Sequence, residues 1–207
     1  MIRLVLIRHG QTKWNMEGRY QGQSDIALSE EGMKQAKKLA EHFPAERLDA
    51  IYASDLQRAT KTAEIIARPF GLSVQCEEAF RELSFGAWEG LTYEEIVQRW
   101  PKALENFFQH PDMLQIPQGE TFRQVQDRAM NRLNAILQEE GAEEKTIAIV
   151  AHGAILRTIL TAQLCIPLRC VWRIRQFNTA VNIVRYDDFV PTVELMNGTA
   201  HLQMDSE

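Results

Sequence analysis

Two apolar segments of this chain end in the same dipeptide, His-Gly. Residues 4–10 read LVLIRHG and residues 148–153 read AIVAHG. Short apolar runs rich in β-branched residues are typical of strands that are buried on both faces of a parallel sheet. In an open α/β sheet the carboxyl ends of the strands form the crevice that binds ligands. The pattern therefore predicts that His9 and His152 meet in one crevice.

The rest of the chain alternates such strands with amphipathic helices. Residues 2–7, 49–53 and 146–151 have the composition of buried strands. Between them, apolar residues recur at steps of three and four over 56–70 and over 122–136, as they do on one face of a helix. This alternation predicts an α/β fold: a single-domain three-layer sandwich whose central sheet is mostly parallel and is flanked by helices.

Two further features complete the predicted organisation of a single domain over 1–207. The apolar residues of 181–186 and 192–196 favour a closing β-hairpin near the C-terminus. Residues 101–118 contain three prolines and two phenylalanines, and we interpret them as a flap-like insertion over one end of the sheet. If this segment covers the crevice, its apolar side chains favour substrates with an apolar body.

The balance of charge excludes some functions. The 23 Lys and Arg residues are outnumbered by 28 Asp and Glu residues, which gives a net charge of −5. Such a chain is unsuited to bulk binding of nucleic acid or of anionic membranes, so an anionic ligand needs a local basic pocket. We therefore expect a small molecule as the partner, and neither nucleic acid nor a membrane.

The cysteines and the N-terminus indicate a cytoplasmic protein. Cys76, Cys165 and Cys170 are odd in number and have no C-x-x-C spacing, which fits reduced thiols. The first apolar run ends at Arg8, too early for a signal peptide, and the other runs are too short to span a membrane. The sequence leaves the oligomeric state open between a monomer and a homodimer.

The arginine next to His9 distinguishes between a metal site and an anion site. Two imidazoles and a carboxylate could together hold a metal ion. The guanidinium of Arg8 cannot be a ligand and would repel a divalent cation, whereas its planar fork suits the oxygens of a phosphate. We therefore predict an anion site that holds no metal and no cofactor.

Seven motifs in a fixed order make the chain resemble the histidine phosphatase superfamily, also called the phosphoglycerate mutase-like family. The resemblance covers nearly the whole chain. Its F-G-x-W-E-G stretch is similar to that of the phosphatase branch, which includes broad-specificity bacterial phosphatases and α-ribazole phosphatases. The motifs are R-H-G-Q-T-x-W-N at 8–15, Q-G-x-x-D at 21–25, L-S-x-x-G at 28–32, S-D-L-x-R-A-x-x-T-A at 54–63, R-E-L-x-F-G-x-W-E-G at 81–90, G-E-T at 119–121 and A-H-G at 151–153.

The resemblance implies a covalent role for His9. This imidazole would be the nucleophile that becomes phosphorylated, and Arg8, Arg58 and His152 would hold the phosphoryl oxygens. Phosphoryl transfer requires positive charge around three equatorial oxygens, with the attacking and leaving atoms in line. These side chains would supply that charge without a metal ion.

Glu82 matches the general acid and base of the family pattern. A departing alkoxide needs a proton, which a carboxyl group near Phe80 and Phe85 could supply. Apolar neighbours disfavour the charged carboxylate and arginines favour it, so the sequence leaves its protonation open. The sequence also leaves open that Glu82 is only an ion-pair partner of Arg81 or Arg58.

Four further residues are predicted to bind the substrate. Asn15, Gln21 and Gly22 follow the first strand, where an amide and a bare backbone N–H can bind phosphate oxygens. The alternative is that they are ordinary turn residues. Gly153 lets the backbone turn sharply beside the ligand. The histidines that match no motif are interpreted as surface or loop residues: His42, His110 and His201.

The main functional prediction is metal-independent hydrolysis of small phosphomonoesters through a phosphohistidine on His9. Thiol-based phosphatases and P-loop kinases are excluded because the chain has neither a C-x5-R nor a G-x4-G-K-[ST] motif. Three alternatives stay open: a bisphosphoglycerate-dependent phosphoglycerate mutase, an α-ribazole-5′-phosphate phosphatase, and a non-catalytic phosphate-binding module. The last is disfavoured because both His9 and Glu82 are present.

Overall fold

A six-stranded sheet runs through the centre of the protein. The computed structural model describes residues 1–141 and 143–204. The strands are β1 (Ile2–Arg8), β2 (Ala50–Ala53), β3 (Gln75–Cys76), β4 (Lys145–Ala151), β5 (Val181–Asp187) and β6 (Val190–Gly198). They lie side by side in the order β3-β2-β4-β1-β5-β6. The first four strands pair in parallel, and β5 and β6 are antiparallel to their neighbours.

Helices cover both faces of this sheet. They are α1 (Lys13–Met16), α2 (Glu30–Glu41), α3 (Gln57–Ala67), α4 (Tyr93–Arg99), α5 (Pro101–Gln109), α6 (Phe122–Glu139) and α7 (Gly153–Gln163). Helices α2 and α3 bury Leu39 and Ile66 in the core on one face. Helices α6 and α7 bury Leu133 and Ile155 in the core on the other face. None of the described helices is long and apolar enough to cross a membrane.

The side chains of β1 explain why there are two layers of helices. Leu4 and Leu6 belong to the core on one face, and Val5 and Ile7 belong to the core on the other. Successive side chains of a strand point to opposite faces, so an uninterrupted apolar run needs helices on both. The predicted single-domain α/β sandwich is confirmed, and the predicted C-terminal hairpin is present as β5 and β6.

The segment 101–118 is folded onto the core. Its first nine residues form α5, which begins at a proline, the residue type that fits the first turn of a helix. The ring of Phe107 packs against Trp172, with 4.6 Å between the ring centroids. The buried apolar side chains of the segment are Leu104, Phe107, Leu114 and Ile116. This part of the chain is therefore a packed helix and turn, and its action as a flap stays a prediction.

The structure corrects the interpretation of His201 as a surface or loop residue. Only 5% of His201 is exposed, and its Nε2 lies 3.0 Å from Oγ1 of Thr179. The short helical turn that carries it is tied to α2, because Nζ of Lys38 donates hydrogen bonds to the carbonyls of Leu202 and Met204. His110 is exposed and His42 is half-buried.

Candidate active site

His9 follows the last residue of β1 and is buried at the carboxyl edge of the sheet. Its backbone N–H donates to the carbonyl of Ala151 at 3.0 Å, and only 3% of the residue is exposed. The ring Nδ1 lies 2.6 Å from the carbonyl oxygen of Gly10. A carbonyl can only accept, so this contact assigns the hydrogen to Nδ1 and the free lone pair to Nε2.

His152 occupies the equivalent position after β4. The rings of His9 and His152 have centroids 5.1 Å apart, so the two strand ends meet as the sequence predicts. Nε of Arg58 donates a hydrogen bond to Nδ1 of His152 at 3.2 Å, which puts the hydrogen of the neutral ring on Nε2. That Nε2 is buried and has no hydrogen-bond partner among the described residues. A buried donor without a protein acceptor needs a water or a polar ligand to complete its hydrogen bonding.

Two arginines, Arg8 and Arg58, place positive charge beside His9. Arg58, on the first turn of α3, is 1% exposed, and its two terminal nitrogens donate to the carbonyls of Ser24 and Gly22, each at 2.7 Å. Arg8 donates to the carbonyl of Gln176 at 2.7 Å. Apart from His152, the hydrogen-bond acceptors of both guanidiniums are backbone carbonyls. Their charges therefore favour an anion in the space between them.

Burial and positive neighbours keep both imidazoles neutral. Burial lowers the pKa of His9 well below its ordinary value, and the charges of Arg58 and Arg8 lower it further. Burial and the same two arginines also lower the pKa of His152. Burial lowers the pKa of Arg58 to about 10, so this guanidinium is still charged at neutral pH. The site thus combines an imidazole lone pair with fixed positive charge.

Glu82 is held at the N-terminus of α7. Its Oε1 accepts hydrogen bonds from the backbone N–H groups of Leu83, Ala154 and Ile155, at 2.9, 3.1 and 3.0 Å. Its Oε2 accepts from Ala154 at 3.0 Å. The N–H groups of a first helical turn have no partner within the helix, and the helix dipole attracts negative charge to them. The carboxylate is therefore fixed in orientation by a segment 72 residues along the chain.

The structure shows that Glu82 is not the ion-pair partner of Arg81, so that alternative is wrong. Arg81 pairs with Asp55 and Glu78 instead. Arg58 likewise gives its hydrogen bonds to carbonyls and to His152. Glu82 forms no ion pair within the described part of the chain, and it faces the cleft.

These side chains open onto a cleft of about 200 Å³. No residue of 101–118, all of which are described, is among those that line it. Phe107 instead packs behind the wall, 5.8 Å between ring centroids from both Tyr20 and Phe85. This segment therefore adds no side chain to the cleft wall, and its contact with a substrate body stays a prediction. The lining residues are Arg8, His9, Asn15, Gly18, Arg19, Tyr20, Gln21, Gly22, Arg58, Glu82 and Phe85.

Three of the four predicted binding residues, Asn15, Gln21 and Gly22, lie in the cleft wall. Oδ1 of Asn15 accepts from the backbone N–H of Thr12 at 3.1 Å, so this side chain also caps α1. Oε1 of Gln21 accepts from the hydroxyl of Thr12 at 2.9 Å. These residues therefore combine a turn-forming role with a place in the cleft.

Gly153, the fourth predicted binding residue, does not line the cleft. It is the first residue of α7, and a Cβ added there would lie 3.5 Å from Nε of Arg8 and 3.0 Å from a terminal nitrogen of Arg157. The absence of a side chain lets the two guanidiniums approach the start of the helix. Gly153 thus affects the site indirectly, by leaving room for the Arg8 guanidinium.

Sequence reasoning missed several residues of the site. Arg19 and Tyr20 line the cleft and stand between two of the recognised motifs, so their position was a usable signal. Asn178 donates from its amide to the carbonyl of His9 at 3.1 Å and to Oδ1 of Asn15 at 3.3 Å. No motif surrounds Asn178, and only the antiparallel return of β5 beside β1 brings it to the nucleophile loop.

The fold and the site together define a class of protein. Neutral imidazoles, two guanidiniums and a fixed carboxylate meet at the carboxyl edge of a mostly parallel sheet. The described residues contain no group of three or more His, Cys, Asp and Glu side chains that could hold a metal ion. This is an α/β protein whose cleft carries positive charge and favours an anion. The chain belongs to the histidine phosphatase superfamily (branch 1), whose family model matches residues 4–199.

Comparison with known proteins points to the phosphatases and mutases of this family. The chain is 35% identical to the metal-independent phosphoserine phosphatase of Arabidopsis thaliana, over 96% of this chain and 82% of the relative. It is 36% identical to the probable phosphoglycerate mutase GpmB of Cronobacter sakazakii, over 90% of this chain and 86% of the relative. The solved structure of Bacillus stearothermophilus YhfR matches with a TM-score of 0.92 and 36% identity, covering 98% of this chain and all of that one.

Proposed function

We propose that this protein hydrolyses small phosphomonoesters without a metal ion, through a phosphohistidine on His9. One observation carries the proposal. The hydrogen bond from Nδ1 to the Gly10 carbonyl leaves Nε2 with its lone pair, and burial beside Arg8 and Arg58 keeps that lone pair unprotonated. An imidazole nucleophile needs both conditions.

In this proposal, positive charge binds the phosphoryl group before it is transferred. Arg8 and Arg58 hold its oxygens, and Nε2–H of His152, which has no acceptor among the described residues, donates to one of them. Asn15 and Gln21 supply further polar contacts from the cleft wall. Since these groups are fixed by the fold, they need little reorganisation as charge develops in the transition state.

Transfer then proceeds in two balanced steps. Nε2 of His9 forms a bond to phosphorus as the P–O ester bond breaks, and Glu82, after taking a proton from the monoanion of the bound ester, gives that proton to the leaving alkoxide. A water molecule next attacks phosphorus, Glu82 takes the proton from that water, and the P–N bond breaks. Inorganic phosphate takes the proton from Glu82 as it leaves, and His9 and the Glu82 carboxylate return to their starting states.

The size of the cleft supports compact substrates. Its volume of about 200 Å³ is below the roughly 300–1,000 Å³ of typical ligand pockets. The curated relative from Arabidopsis thaliana is named for phosphoserine, a monoester of this size. We therefore propose a compact alkyl monophosphate such as phosphoserine as the substrate class. The body of α-ribazole-5′-phosphate would have to extend beyond the cleft, which makes that specific role the weaker alternative.

A phosphoglycerate mutase is the second candidate, because one relative at 36% identity is named as one. Both activities use a phosphohistidine, and they differ in whether water or a second phosphoglycerate accepts the group. The test measures phosphate release from phosphoserine and p-nitrophenyl phosphate beside interconversion of 2- and 3-phosphoglycerate with added 2,3-bisphosphoglycerate. Efficient interconversion with little phosphate release promotes the mutase. No turnover in either assay, with phosphate still bound, promotes the non-catalytic phosphate-binding module.

A further inference from the structure

The carboxylate of Glu89, in the F-G-x-W-E-G motif, accepts hydrogen bonds from backbone N–H groups of a neighbouring loop and of its own segment. Its Oε1 accepts from the N–H of Gln23 at 2.9 Å and from that of Phe85 at 3.2 Å. Its Oε2 accepts from both the N–H and the hydroxyl of Ser24, at 2.9 and 2.5 Å. The proposed reaction gives this residue no role, although it makes four hydrogen bonds and stands next to the cleft.

The loop that Glu89 binds is the loop that holds Arg58. The carbonyls of Gly22 and Ser24 accept the two terminal nitrogens of the Arg58 guanidinium, each at 2.7 Å. The N–H groups of this loop thus face Glu89 while its carbonyls face Arg58. Gly22 has a φ of +55°, and a Cβ added there would collide with Oε1 of Glu89. The loop can wrap the carboxylate this closely because position 22 is a glycine.

The same carboxylate also acts on Arg58 through charge. Burial lowers the pKa of Arg58, and the negative charge of Glu89 is one of the influences that oppose this. Within the described residues, the hydrogen-bond donors to Glu89 are all neutral. No cationic hydrogen-bond donor among the described residues neutralises the Glu89 carboxylate, so its charge attracts the nearby Arg58 guanidinium.

We propose that Glu89 is a positioning residue that sets the orientation of the Arg58 guanidinium by shaping loop 22–24. This inference rests on the proposed function, in which Arg58 binds the phosphoryl oxygens. Both oxygens of a carboxylate accept hydrogen bonds. The amide of Gln has one acceptor oxygen, and its NH₂ group would face a donor of the loop and could not bond to it. Glu89→Gln keeps the size of the side chain and loses half of the acceptors, so the loop and Arg58 must shift.

The first measurement is the affinity for inorganic phosphate by titration calorimetry, with folding checked by circular dichroism and thermal melting. Losing hydrogen bonds to a charged group is expected to weaken phosphate binding about tenfold in Glu89→Gln. The matched control is Glu105→Gln, at an exposed position of α5, which should bind phosphate like the unchanged protein. An unchanged phosphate affinity in folded Glu89→Gln overturns the inference.

A double-mutant cycle separates positioning from a general structural role. Lys at position 58 keeps a positive charge but has no fork to engage the two carbonyls. In an Arg58→Lys background, Glu89→Gln should therefore weaken phosphate binding by no more than about twofold. In an Arg8→Lys background it should keep the full loss of about tenfold, because Arg8 is held by Gln176 on a different segment. Equal losses in both backgrounds overturn the inference.

Two further outcomes are distinguishable. If Glu89→Gln does not fold, the variant Ser24→Ala takes its place, because it removes only the hydroxyl that donates to Glu89. Ser24→Ala should weaken phosphate binding about twofold to threefold in the Arg8→Lys background. It should leave phosphate binding unchanged in the Arg58→Lys background. Ser24→Ala without effect in either background overturns the inference. If Arg58→Lys alone binds phosphate as well as the unchanged protein, the proposed function fails, and the inference fails with it.

Discussion

Arg58 and His152 are joined by a hydrogen bond of 3.2 Å from the guanidinium Nε to the imidazole Nδ1. This contact does two things at once. It fixes the neutral tautomer of His152, with the hydrogen on Nε2, and it holds the plane of the guanidinium. In the proposed function the two groups therefore bind phosphate as one unit, although 94 residues separate them along the chain.

His9→Ala should abolish turnover, because no other nucleophile in the cleft can take its place. His152→Ala should leave weak activity, reduced about 10²- to 10³-fold, since it removes one donor to the transferring group. Rapid quenching at high pH after exposure to labelled substrate should show label on His9, stable to base and labile to acid. Label on any other residue would contradict the proposed intermediate, and His110→Ala, at an exposed histidine, is the control.

Glu82→Gln should slow the first turnover with phosphoserine by about 10²- to 10⁴-fold, because an alkoxide cannot leave without a proton. p-Nitrophenyl phosphate has a good leaving group and should be affected far less in that step. The measurement is the rate of phosphoenzyme formation by rapid quench. Looking at the first turnover avoids the second step, where Glu82 acts on water with both substrates. Equal losses for the two substrates would rule out Glu82 as the leaving-group acid.

Excess EDTA should leave activity unchanged, because the positive charge for the transition state is covalently part of the protein in Arg8 and Arg58. Phosphate release is assayed before and after dialysis against the chelator, with a metal-dependent phosphatase in the same buffers as the control. Activity that is lost and then restored by a divalent cation would show that the proposal of metal independence is wrong.

The meeting of His9 and His152 was predictable because it depends on local rules. Buried strands have a recognisable composition, and parallel strands share one edge for their carboxyl ends. The surroundings of Glu82 were not predictable in this way. The Glu82 carboxylate accepts hydrogen bonds from backbone N–H groups at the N-terminus of α7. Only the packing of that helix beside the loop of Glu82 brings these donors to the carboxylate. Side-chain partners over such separations leave no periodic signal in the sequence.

The role of 101–118 shows a different limit. Prolines and aromatic residues between two helical segments favour a loop, but Phe107 and Leu104 are on the apolar face of a helix and pack into the core. Burial of that face outweighs the loop signal of the prolines, one of which simply begins the helix. His201 was misinterpreted for a related reason, since its burial depends on a turn that folds back onto α2.

Acid should destabilise the fold through His201. Burial, together with the charges of His42 and Lys38, lowers the pKa of His201 to about 4, against about 6.5 in an unfolded chain. Between those values the unfolded state binds more protons than the folded state, so the free energy of unfolding falls as the pH falls. The contribution of His201 to the free energy of unfolding is fully present above pH 6.5 and is lost progressively as the pH falls to 4. Its loss between pH 7 and pH 4.5 should be about 2–3 kcal/mol.

The variant His201→Gln isolates this contribution. Its amide can still bond to Oγ1 of Thr179 and does not titrate, whereas His9 and His152 titrate in both proteins and cancel in the comparison. Urea unfolding at pH 7 and pH 4.5 gives the loss of stability for each protein. The variant should lose about 2–3 kcal/mol less than the unchanged protein over that range. Equal losses in the two proteins would mean that the pKa of His201 is the same in the folded and the unfolded state, and the burial argument for it would be wrong.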